Sequence, residues 1–140
     1  MPISTHHLQI SMAGDSQIHN ITDRLHEALA QSKLSTGVTT VFIKHTTASI
    51  MIIEDEPGIR KDTATIWNEL IPARSRWEHN TRNPGEDNGH SHLRGQLQGP
   101  SVAIPFIEKQ LTLGTWQQVV VIDFDTRART RDLVIQIMGE

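Results

Sequence analysis

Hydrophobic and polar positions alternate from the start of the chain. In Ile3 to Met12, Leu8, Ile10 and Met12 fall on one side with polar residues between them, the period-2 pattern of a half-buried strand. Gly14-Asp15 marks a turn. Ile21, Leu25, Ala28 and Leu29 then recur at helical spacing behind Thr22, a candidate N-cap, with Asp23 and Glu27 near the positive end of the dipole; this helix ends by Gly37. Val38 to Ile43 and Ser49 to Ile53 are apolar runs, predicting two strands or one long bent strand through Lys44-His45-Thr46-Thr47. Pro57 suits a first helical turn, Ile59, Thr63, Ile66 and Leu70 mark one face of a second helix, and Pro72 stops it. From Ala73 to Gly99 the periodicity fades, which predicts a long functional loop. Val102 to Phe106, Leu111 to Leu113, Val119 to Phe124 and Leu133 to Met138 are four more strands, the first two joined by a hairpin at Glu108-Lys109-Gln110. The later connections are too short for crossover helices, so the expected fold is α+β with largely antiparallel sheets and two main helices in one domain, residues 1–140.

Composition narrows the function classes. Thirteen Lys and Arg against sixteen Asp and Glu give a formal charge of −3, scattered along the chain, so no basic field points to nucleic acid or an anionic membrane. No apolar stretch approaches the roughly 18 residues of a membrane span, and no secretory leader pattern opens the chain. The absence of cysteine removes disulfides, thiolate metal sites and cysteine nucleophiles, and a cytoplasmic location is expected.

Eight histidines are the unusual feature. His6, His7, His19 and His26 sit among polar neighbours in the first strand and helix and are expected to be surface residues. His45, His79, His90 and His92 lie at a strand end or in the long loop, where side chains converge on sites. Their spacing matches no local zinc motif, and on a helix His90 and His92 would point about 200° apart, so only one could serve a site there. Glu54-Asp55-Glu56 follows an apolar strand and Asp62 lies in the next helix, positions suited to a general base or to a helix-end charge. Thr46, Thr47 and Ser49 add hydroxyl donors beside His45. Arg127, Arg129 and Arg131 alternate, so a strand would place them on one side, either to clamp an anion or to pair with acids such as Asp123 or Asp125.

Four blocks now stand together: His45-Thr46-Thr47-Ala48-Ser49, Trp77-Glu78-His79-Asn80, Glu86-Asp87-Asn88 running to His92-Leu93, and Leu113-Gly114-Thr115-Trp116-Gln117. In order and spacing they resemble the YjbQ family, also called the secondary thiamine-phosphate synthase family, over nearly the whole chain. That resemblance implies a sandwich-like α+β fold and a homotrimer. It implies a divalent metal, zinc favoured, at His45, His79 and His92, with Glu54 and Asp62 as nearby acids and Arg131 or Arg129 as the arginine of the last strand. The implied activity joins an aminopyrimidine methyl diphosphate to a thiazole phosphate. Metal-assisted hydrolysis of a phosphorylated metabolite, with Glu54 activating water, and a non-catalytic phosphometabolite-binding trimer are the alternatives. The chain departs from the family pattern at Ile53, at Trp77 and at Asn80, the last replacing an acid beside the second histidine.

Overall fold

The computed structural model describes residues 1–74 and 76–140. Its larger sheet holds β1 (Ile3–Met12), β3 (Gly37–Ile43), β5 (Ser101–Ile107), β6 (Gln110–Leu111) and β8 (Arg129–Gly139) in the order β1-β8-β3-β5-β6. A smaller sheet places β7 (Gln118–Asp123) between β2 (Gln17–Asn20) and β4 (Ala48–Ile53). Every pairing is antiparallel. The sheets share a core: Ile10, Val41, Leu133 and Ile135 of the larger sheet join Ile50, Val119 and Val121 of the smaller, with Leu25 and Leu29 of α1 (Thr22–Ser32) in the same cluster. Burying each such side chain contributes about 1.5–3 kcal/mol. β7 is buried on both faces, because Val120 and Ile122 pack on the far side with Met51, Phe124 and Trp67 of α2 (Pro57–Leu70). Its unbroken apolar run follows from that double burial.

The hairpin expected at Glu108-Lys109 is present, both residues taking positive φ as a two-residue turn matched to strand twist requires. Two expectations need correction, and one strand carries no pattern of its own. Thr22 does not cap α1: its hydroxyl instead bonds the Val119 backbone, while Asn20 Oδ1 accepts the Thr22 N–H. Gln17–Asn20 is a strand, formed by edge pairing to β7 rather than by any apolar alternation of its own. The expected long loop is not irregular throughout, for it contains α3 (Glu78–Arg82) and α4 (Gly89–Gln98). α4 buries Gly89, His90, Ser91, Arg94 and Gly95, a polar and small-residue face that carries no apolar period.

The chain passes between the sheets six times, and three of these passages fall at residues 13–16, 44–47 and 124–128. These passages are tied together: Asp15 N–H donates to Asp125 O at 2.7 Å, Ser16 N–H to Asp123 O at 2.8 Å, and Phe124 N–H to Thr47 O at 2.9 Å. Among the described residues, no helix is long and apolar enough to cross a membrane.

Candidate functional site

A cleft of about 410 Å³ opens on this seam. The passage from β3 to β4 contributes Lys44, His45, Thr46 and Thr47; the passage into β8 contributes Asp125, Arg129 and Arg131; the helical cover contributes His79, Glu86, Asn88 and His92. α4 can lie close because Gly95 has no side chain, a Cβ there falling 2.6 Å from the Thr46 carbonyl oxygen. A second hollow of about 270 Å³ adjoins the first, sharing His45, Thr46 and His92 and bounded by Ala48, Gly95, Gln96 and Pro100.

His45, His79 and His92 all line the cleft, and the His79 and His92 rings stack at 4.4 Å with a 47° tilt. Burial, reinforced by the neighbouring His79, lowers the His92 pKa. His90 points elsewhere, as helical geometry requires. It is buried, its Nδ1 has no partner, and burial together with Arg94 lowers its pKa. The three cleft histidines do not fit a zinc centre as arranged. His45 Nε2 accepts the Asp132 backbone N–H at 2.9 Å, so the neutral ring carries its proton on Nδ1 and offers no free lone pair to an ion. Among the described residues, no group of three or more His, Asp or Glu side chains is placed to hold a metal ion.

Below the histidines lies a buried network of charges. Arg131 donates from Nε to Asp123 Oδ2 and from Nη2 to Asp123 Oδ1, both at 2.7 Å, and from Nη2 to the Thr47 hydroxyl at 2.9 Å. Asp125 accepts from the Thr126 N–H, the Thr47 hydroxyl, Asn88 Nδ2 and Arg129 Nε. Burial pushes the Asp125 carboxyl up, but these donors outweigh it and its pKa is lowered. The anion clamp expected of Arg129 and Arg131 is therefore corrected: both arginines face the cleft side of β8, yet each is held by an aspartate. Arg129 remains half-exposed at the cleft wall, whereas Arg131 is 1% exposed. Arg127 lies outside β8 and reaches the Gly85 carbonyl.

Glu54 and Asp62 do not line the cleft. Glu54 follows the far end of β4, roughly 20 Å along the strand from Thr47 at about 3.3 Å per residue, and Asp62 is exposed on α2. Asp55 beside them is bound by Arg60 and Asn20. Ser49 is buried and donates to Gly95 O, holding α4 rather than facing the cleft. Sequence reasoning did not single out Lys44, Glu86 and Asn88 as site residues. The alternation of Asp123 and Asp125 at the end of a buried strand was the available signal for the acids; Asn88 carried none.

The chain matches the model of the family described as UPF0047 protein YjbQ-like over residues 6–140. UPF0047 protein sll1880 of Synechocystis is 33% identical over 135 residues, covering 95% of this chain and 90% of that protein. UPF0047 protein YugU of Bacillus subtilis is 31% identical over 133 residues, covering 94% and 97%. Among solved structures, a YbjQ-like protein of unknown function from Sulfolobus solfataricus P2 superposes with a TM-score of 0.88 at 27% identity, covering 99% of this chain and 100% of that one. A hypothetical protein from Aeropyrum pernix K1 gives 0.89 at 29% identity, covering 97% and 98%. With the family model matched over residues 6–140 and these likenesses in sequence and fold, the chain belongs to the YjbQ-like UPF0047 family.

Proposed function

We propose that the cleft binds a phosphorylated small molecule and performs acid–base chemistry on it, in the manner of the secondary thiamine-phosphate synthase reading. The observation that carries this proposal is the meeting of three histidines with Lys44, Thr46 and Arg129 along one cleft. Lys44 and the exposed end of Arg129 supply charged donors for phosphate oxygens, and the imidazole nitrogens supply sites that can accept or donate a proton. The adjoining hollow beside Ala48 and Pro100 suits the organic part of such a molecule. In the synthase reaction, diphosphate leaves an aminopyrimidine methyl carbon as a thiazole ring nitrogen bonds to it. The donors would hold the departing diphosphate, where negative charge develops. Hydrolysis with Glu54 as the base is not favoured, because that carboxylate is remote from the cleft.

The test is calorimetric titration with inorganic pyrophosphate, followed by a condensation assay with the two thiamine precursors. Lys44→Ala and Arg129→Ala should each weaken pyrophosphate binding by about 1.5–3 kcal/mol, the range for hydrogen bonds to charged groups. Unchanged affinity in both variants would remove the basis of the proposal.

A further inference from the structure

Two histidines that line the cleft hold their protons on different nitrogens. Asp125 is 1% exposed and surrounded by donors. An ionised carboxylate only accepts, so the Asn88 atom placed 3.2 Å from Asp125 Oδ1 must be Nδ2. Turning the amide over would set two oxygens against each other in a buried place. Asn88 Oδ1 is thereby directed to His79 Nε2 at 3.2 Å, and a carbonyl oxygen also only accepts. His79 Nε2 must carry the hydrogen, and Nδ1 is the unprotonated nitrogen of the neutral ring. His45 is the reverse case, since its Nε2 accepts the Asp132 N–H and its hydrogen sits on Nδ1.

We propose that Asn88, oriented by Asp125, is a positioning residue that locks His79 as the Nε2–H tautomer, making His79 Nδ1 a proton acceptor in the cleft that also holds the His45 Nδ1–H donor. The amide itself is well fixed. Asn88 is 5% exposed and its backbone carbonyl accepts the Ser91 N–H as α4 begins. Asn80 Oδ1 accepts the Gly89 N–H at 2.9 Å, which ties that first turn to α3 beside His79. Asn80 serves this framing without adding a negative charge. The tautomer lock stands on geometry alone; its use in proton transfer rests on the proposed function.

Nitrogen-15 NMR of histidine-labelled free protein tests the lock, recorded about two pH units above the ordinary imidazole pKa of about 6.5 and assigned with His79→Gln. The expected spectrum shows His79 protonated at Nε2 and His45 at Nδ1, and Asn88→Ala loses the single-tautomer pattern of His79. Protonation of His79 at Nδ1 in the wild type, or an unaltered His79 pattern in folded Asn88→Ala, overturns the proposal. If Asn88→Ala does not fold, the wild-type spectrum alone decides. Pyrophosphate is absent from this measurement, so a failure of phosphate binding and a failure of the lock are separate results.

Discussion

Arg131 points toward a cleft and is nevertheless committed within the protein. Both members of its pair with Asp123 are out of solvent, at 1% and 0% exposure, and the contact is bidentate. Removing one partner of such a pair strands the other charge and costs about 3–5 kcal/mol, a large share of the 5–15 kcal/mol that holds a typical domain together. Arg131→Ala should therefore lower the urea midpoint sharply. Replacing both partners, as Arg131→Met with Asp123→Leu, should recover most of the loss because no uncompensated charge remains. A midpoint for Arg131→Ala close to wild type would show that the pair is not holding the seam. The period-2 spacing correctly placed both arginines on one side of β8. It left open whether they meet an anion or the acids Asp123 and Asp125, because Asp123 belongs to a strand of the other sheet. The same limit hid Lys44 and Asn88, whose roles depend on neighbours far along the chain.

Helix α4 carries a similar lesson at the scale of an element. It is fastened by polar and close backbone contacts: Ser91 donates to Phe124 O, Ser49 donates to Gly95 O at 3.2 Å, and Arg94 donates to Ile71 O from Nε at 3.0 Å and from Nη2 at 2.8 Å. None of these leaves an apolar stripe, so a segment legible only as a long loop is in fact an ordered helix presenting His92. The β strands were legible because alternation and β-branched runs report burial directly; β2 was not, being ordered by its neighbour. Gly95→Ala tests the docking. Alanine favours an isolated helix by about 0.8–1.0 kcal/mol over glycine. Here its Cβ would lie 2.6 Å from a backbone oxygen, and overpacking of this kind costs about 1–3 kcal/mol. The clash is expected to win, lowering the melting temperature by several degrees and weakening pyrophosphate binding as His92 shifts. A higher melting temperature would show that α4 can move away freely.

At the scale of the whole molecule, the outward face of the larger sheet is too apolar to be left in water at little cost. Ile3, Val38, Phe42 and Ile107 are 57%, 42%, 43% and 55% exposed. Register sets Ile3, Met138, Val38 and Pro105 side by side in one row, with Val134 beside Phe42 in a second apolar pair across the row Thr5, Gln136, Thr40 and Ala103. Exposed apolar surface of this kind marks an interaction face more often than it marks a free monomer surface. We take a second copy of the chain as its occupant, within the homotrimer proposed from the family resemblance. The same face carries Asp132, whose backbone N–H fixes His45, so assembly there would close one side of the cleft region. Light scattering of the wild type at micromolar concentration should give three times the 15.7 kDa chain mass. Phe42→Lys places a charge in the middle of the contact without disturbing the core, because the side chain already faces outward, and should return the chain to its own mass. A wild type with the single-chain mass would exclude the assembly, and a trimer untouched by Phe42→Lys would place the contact on another face.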